Sequence, residues 1–347
     1  MAIKPPSATS VIGFLAAGVA SAVLGSAYGA LIGASTTFGA VAGATIAAPI
    51  VAFEVFVVRG RLGKPLRRLP MWGMLLVSSV VWILSIAAGI LLITPNILNM
   101  EAYPESYSGS TFSQDSIFFL ALMLLVNFAV RAHSLVGTRV LMNFLLGRYH
   151  RPLREQQVFM FVDFVGARGL SNRLGDIRAQ SLISAVFFDI DPAIREFGGE
   201  THRYIGDELV VTWPLQRATK SARCVKCALA IVAHMDANAE HYRKVYGEAP
   251  RLRIALHGGP VVVSEIGDDR REIVYFGDTI NTTARLRGLA KKIERELVIS
   301  ASLLESTRLP DDMRAEDMGS FDLSGKAQST RVYAVHAEPR ISAPAEA

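Results

Sequence analysis

Residues 158–166 read VFMFVDFVG and residues 204–211 read YIGDELVV. Each is a β segment with one aspartate where the strand gives way to a turn. In the first, apolar residues fill nearly every position before Asp163, and Gly166 and Gly169 follow. In the second, Gly206-Asp207 sits between the runs 202–205 and 209–213, which is a hairpin signal. Burying an aspartate in an apolar strand is costly unless a cation or a hydrogen-bond donor meets it. Two readings follow: each aspartate caps its own turn, or the pair shares a divalent metal site. In the second reading, hard carboxylate oxygens suit Mg²⁺ or Mn²⁺, with phosphate filling the remaining positions.

Outward from these strands, the pattern predicts a strand over 157–164, a helix over 169–197, strands over 200–205 and 208–214, and a helix over 217–246. A strand over 251–259 and an extension over 260–276 come next, then a helix over 278–292 and a strand over 296–300. Short segments close the domain near residue 336, and the tail 338–347 has a disordered composition. This βαββαβ core is ferredoxin-like, an α+β fold that hosts many unrelated activities, so function has to come from the site.

The first 134 residues are of a different kind. The chain of 347 residues is 51% hydrophobic and 19% charged, with a mean hydropathy of +0.32. No charged residue occurs over 5–53, 69–100 or 116–130. At about 20 residues per crossing, the pattern predicts an α-helical membrane domain of four transmembrane helices, about 11–33, 37–58, 71–94 and 116–136. Gly25, Gly29 and Gly33 repeat at four-residue spacing, as do Gly39 and Gly43, which lets membrane helices approach closely. Residues 59–70 are basic and the loop 95–115 is acidic, so the positive-inside rule puts 59–70 and everything after 131 in the cytoplasm. The expected location is a multi-pass inner (plasma) membrane protein in contact with the lipid bilayer. A signal peptide fits poorly, because no clear cleavage site precedes another apolar segment.

Residues 135–156 then read as a helical connector and 157–337 as a cytosolic domain. The formal charge of +5 comes with basic clusters that flank the apolar segments, so they mark topology rather than nucleic-acid contacts. Glu54 and Asn127 are the notable polar residues of the spans. The spans contain no lysine for a retinal Schiff base and no histidine pair for haem. Cys224 and Cys227 are read as neighbouring core residues at helical spacing, since no second cysteine pair completes a zinc site.

Four segments carry a resemblance: FVDFVGARGLS (161–171), HRYIGDELVVTW (202–213), LRIALHGGPVVVSEIG (252–267) and YFGDTINTTARL (275–286). In order and spacing, residues 153–336 resemble the catalytic domain of class III nucleotide cyclases, the adenylate/guanylate cyclase family. The resemblance implies a head-to-tail homodimer with active sites shared across its interface, ATP as substrate and two Mg²⁺ or Mn²⁺ ions per site. It makes Asp163 and Asp207 the metal ligands. It makes Asn281 the group that positions the ribose and Arg285 the group that meets the phosphate, both from the other subunit. These two stand at i and i+4 of a helix and so face the same way.

The turn formed by Phe164, Val165, Gly166 and Ala167 would offer N–H groups to phosphate, and Lys326 resembles a lysine near the triphosphate. Adenylate cyclases of the family read adenine with a lysine and an Asp or Thr where this chain has Arg203 and Val274. Guanylate cyclases place glutamate and cysteine there. The choice of purine is therefore open, with adenylate cyclase the reading adopted. Guanylate cyclase and a nucleotide-binding receptor module with little turnover are the alternatives. A diguanylate cyclase lacks support, because residues 205–209 do not form its GGDEF-type loop.

Overall fold

The computed structural model describes residues 8–31, 36–58, 63–67, 69–97, 148–268, 271–323 and 329–338. The fourth expected span, the acidic loop beyond residue 97, most of the connector, Lys326 and nearly all of the tail lie outside them. The chain divides into two compact units, 1–142 and 143–347.

In the first unit, α1 (Ala8–Leu31) and α2 (Thr36–Ala52) pack on their glycines. A Cβ placed on Gly25 would lie 2.1 Å from the Gly39 carbonyl oxygen, and one on Gly43 would lie 2.4 Å from that of Ser21. Backbones this close need residues without side chains, the use expected of the four-residue repeat. α2 contains Pro49 and passes into a π turn, Phe53–Val58, that carries Glu54. α3 (Lys64–Arg67) and α4 (Met71–Ile97) follow. Among the described residues, one helical stretch, Gly39–Val58, is long and apolar enough to cross a membrane, and Ala17–Leu31 and Trp72–Ala88 are shorter apolar helices. Of the three expected spans that fall within the described residues, one therefore meets this criterion.

The second unit is built on a mixed sheet of β1 (Leu153–Phe164), β2 (Glu200–Ile205), β3 (Glu208–Pro214), β4 (Leu252–Ile266), β5 (Glu272–Phe276), β6 (Leu297–Ser300), β7 (Met313–Phe321) and β8 (Thr330–Ala337). The order is β2-β3-β1-β4-β6-β8-β7, with β5 paired to β4. β1 runs antiparallel to both β3 and β4, so the first four strands have the expected ferredoxin-like arrangement. Strand alternation sorts the two faces. Val158, Met160 and Val162 pack with Leu182, Ile190 and Ile231 of the helices on one face. Phe159 and Phe161 point to the other, with Val210, Val261, Val263 and Tyr275. The helix α9 (Asp278–Lys292) lies on that second face, where Leu286, Leu289 and Ala290 pack with Ala255 and Val298.

Several elements differ from the expected pattern. The helix expected over 169–197 is two, α5 (Ala167–Leu174) and α6 (Asp176–Glu196), parted at Gly175, whose φ of 77° suits glycine. The helix expected over 217–246 is α7 (Leu215–Thr219), a 3₁₀ turn and α8 (Arg223–Tyr246), with Ser221 and Ala222 left-handed at the break. β4 runs on to Ile266 because its apolar alternation continues, and it forms a hairpin with β5. Beyond β6 lies the short α10 (Ala301–Glu305). Cys224 and Cys227 are buried and unpaired on α8. Burial pushes the Cys224 thiol up to about 12, and Cys227 is raised further. They are packing residues.

Candidate active site

Asp163, next to last in β1, lies opposite Glu208 on β3 and Arg253 on β4. Parity puts all three on the face that carries α9. Asp207 occupies the tight turn before β3, entered through Gly206 at φ 61°. The Phe164 N–H donates to the Asp207 carbonyl at 3.4 Å, tying the two turns together. Burial raises the Asp163 carboxyl above the usual carboxylate range. Arg287 opposes this, the Asp207 charge adds to it, and Arg253 and Lys291 pull it back. The Glu208 carboxyl is raised by burial, against the pull of Arg287 and with the push of Asp163 and Asp207. Three carboxylates therefore share one corner.

The donor set fits a hard divalent cation that brings its own ligands. Asp163 offers oxygens from the end of β1 and Asp207 from the turn before β3, while Glu208 is engaged by Arg287. Among the described residues no cluster of three His, Cys, Asp or Glu side chains is placed to hold a metal. Phosphate and water would have to complete the shell, as they do for Mg²⁺.

The turn after β1 is used differently from the expectation. The N–H groups of Phe164 and Val165 donate to the carbonyls of Asp207 and Arg251, so these two are withdrawn from phosphate binding. Gly166, at φ 74°, caps α5 and Ala167 begins it. Their N–H groups stand outside the helix ladder and remain the donors of this turn.

On α9 the buried stripe is Thr279, Thr282, Thr283, Leu286, Leu289 and Ala290. At about 100° per residue, Arg285 and Arg287 flank Leu286 on opposite sides, while Asn281 and Arg285 are only about 40° apart. Arg287 turns to the carboxylate corner of its own chain and pairs with Glu208. Asn281 is exposed on the other side. There Arg285 keeps Nη1 shielded from solvent with no hydrogen-bond partner among the described residues. Its nearest acidic atom, Asp278 Oδ1, is 4.0 Å away.

Arg203 on β2 pairs with Glu272 on β5, and Val274 lies opposite Ser264. His202 packs edge-on to Tyr275, which in turn meets Phe159. Sequence reasoning missed Glu208, Arg253, Arg287 and Glu272. Arg253 and Glu208 were detectable only as charges in otherwise apolar strands, and Arg287 and Glu272 carried no signal.

The adenylate and guanylate cyclase catalytic domain family matches residues 152–337. Adenylate cyclase 2 of Rhizobium meliloti (strain 1021) is 37% identical over 296 residues, 83% of this chain and 80% of that protein. Adenylate cyclase 1 of the same strain is 22% identical over 185 residues, 52% of this chain and 28% of that one. Among solved structures, a bacterial light-regulated adenylyl cyclase is similar in fold, with a TM-score of 0.55 at 18% identity over 64% of this chain and 65% of that one.

Proposed function

This chain belongs to the adenylate and guanylate cyclase catalytic domain family and is a nucleotide cyclase, and from that premise we propose that it converts ATP to 3′,5′-cyclic AMP and pyrophosphate at sites shared across a homodimer. The observation that carries the reading is the side-to-side division of α9. Arg287 closes on Glu208, across from Asp163 in its own chain, while Asn281 and Arg285, whose Nη1 has no hydrogen-bond partner among the described residues, lie on the other flank. One chain thus supplies carboxylates from one place and polar groups from another, which supports a site completed by a second copy. Exposed Val262, Ile266 and Phe276 on the β4–β5 hairpin offer apolar surface for that copy.

In the reaction the ribose 3′-oxygen bonds to the α-phosphorus, the bond to the pyrophosphate oxygen breaks, and the hydroxyl proton leaves to solvent. Two Mg²⁺ or Mn²⁺ ions at Asp163 and Asp207 would supply acidification of that hydroxyl and charge neutralisation on the triphosphate. Asn281 orients the ribose, and Arg285 meets the charge that grows on the α-phosphoryl oxygens. Gly166 and Ala167 donate N–H groups to phosphate. Adenine is read near Arg203, Glu272 and Val274. The identity of 37% to an adenylate cyclase across most of the chain supports ATP.

The N-terminal unit is proposed to anchor the protein in the inner membrane through several spans, with the catalytic unit cytoplasmic. Gly39–Val58 supports one span. Exposed Leu24, Leu31, Trp72 and Leu76 supply the apolar surface a bilayer would cover. Product analysis of the full-length protein with ATP and GTP in parallel and Mn²⁺ present tests the reading. Cyclic AMP is the expected product. Cyclic GMP as the sole product would move the assignment to guanylate cyclase, and bound nucleotide without product would leave a receptor module.

A further inference from the structure

The Glu208–Arg287 pair is not required by any step above, yet it sits beside Asp163 in the carboxylate corner. Glu208 is 7% exposed and stands directly across from Asp163 in the β1–β3 register. One of its oxygens accepts from Arg287, and the other, Oε1, is buried without a partner among the described residues. Arg287 reaches this corner from one flank of the buried stripe of α9, the flank opposite Arg285.

We propose that Arg287 is an internal counter-ion of the carboxylate corner and that it sets how tightly Asp163 and Asp207 take a divalent cation. This rests on the reading of those two aspartates as metal ligands. A guanidinium stays protonated throughout the physiological range, so it offsets the mutual repulsion of Asp163, Asp207 and Glu208 when no metal is present. The same charge repels an incoming cation, and at a half-buried position salt screens it weakly. Glu208 anchors the guanidinium at the edge of the corner, beside the metal ligands. The corner is thereby stable without metal and binds it loosely. A triphosphate supplies the missing negative charge, so the cation enters with the nucleotide.

The test is Mn²⁺ binding by the full-length protein in detergent micelles without nucleotide, read from the electron paramagnetic resonance of free Mn²⁺, together with thermal melting with and without Mn²⁺. Arg287→Gln is expected to bind Mn²⁺ about tenfold more tightly, and to melt lower without metal, with the loss restored by Mn²⁺. Arg287→Lys keeps the charge and the wild-type affinity. Glu208→Gln keeps the shape and a hydrogen-bond acceptor but removes a negative charge, and is expected to bind Mn²⁺ several-fold more weakly.

Unchanged or weaker binding by folded Arg287→Gln overturns the proposal. Should Arg287→Gln not fold, Glu208→Gln decides, and unchanged affinity there overturns it equally. Asp163→Asn separates the two levels of the argument. If the wild type binds Mn²⁺, Asp163→Asn abolishes binding and Arg287→Gln shifts nothing, only the counter-ion role falls. If the wild type binds no more Mn²⁺ than Asp163→Asn, the metal-site reading falls and takes this proposal with it.

Discussion

Arg285 and Arg287 stand two residues apart on α9 and are put to opposite uses. Arg287 is engaged within its own chain, closing on Glu208 beside Asp163. Arg285 holds Nη1 out of solvent with no hydrogen-bond acceptor among the described residues. A shielded donor without a partner costs about 1–3 kcal/mol, a cost a fold sustains where a ligand supplies the acceptor. The difference teaches that one helix serves two masters: one flank completes the carboxylate corner, and the opposite flank is reserved for an anion.

The sharpest way to break this comparison is through activity. Asp163→Asn and Arg285→Ala are each expected to lower kcat by about 10²–10³-fold or more, since the first removes a metal ligand and the second the positive charge that meets the α-phosphoryl oxygens. If the two residues serve different copies of the site, mixing the two variant chains restores one intact site per heterodimer. Cyclic AMP production should then recover to a substantial fraction of wild type. Two inactive chains that stay inactive when co-purified as a heterodimer would place both residues in one chain's site and end the division of labour.

Stability should rank the arginines the other way. Arg287→Ala leaves Glu208 buried and unpaired and is expected to cost about 3 kcal/mol of unfolding free energy. Arg285→Ala should cost less than about 1 kcal/mol, because its partner is not in the fold. Urea unfolding of the full-length protein in micelles measures both, and the reverse ranking contradicts the assignment.

The same contrast extends to the base. Arg203 only donates and Val274 does neither, but Glu272, two residues before Val274 and on the same side of β5, accepts. The Arg203–Glu272 pair is substantially exposed, with side-chain accessibilities of 45% and 37%. Such a pair is held by about 0–1 kcal/mol and is readily opened by a ligand. Glu272→Gln is expected to change the ratio of kcat/KM for ATP and GTP by about tenfold. An unchanged ratio removes Glu272 from base recognition.

Much of this was legible in the sequence, for a definable reason. Asp163, Asp207, Asn281 and Arg285 lie in contiguous segments whose local periodicity assigns them to a strand end, a hairpin and one side of a helix. The expected βαββαβ core followed from the same periodicity. What stayed hidden depends on register between strands far apart in the chain. Asp163 meets Glu208 and Arg253 only once β1, β3 and β4 are aligned, and a shift by one residue would send these side chains to the other face. The engagement of the Phe164 and Val165 N–H groups is likewise a product of sheet pairing. The breaks at Gly175 and at Ser221-Ala222 escaped because the apolar pattern of each helix continues through them.

The smallest expected effect concerns His202, which joins the β5 hairpin to β2 through Tyr275. Burial, reinforced by the neighbouring Arg203 charge and opposed by Glu272, lowers its pKa to about 4 from an ordinary 6.5. Between these values the unfolded chain binds a proton that the folded chain refuses, so stability falls as pH drops from 6.5 towards 4 and is fully present above 6.5. Asp163 and Glu208, both raised, contribute with the opposite sign, so the histidine has to be isolated by difference. His202→Phe keeps a ring against Tyr275 and removes the titration. Its melting temperature should therefore fall less steeply than the wild type's between pH 6.5 and 4, and identical slopes would show that the hairpin opens before His202 is protonated.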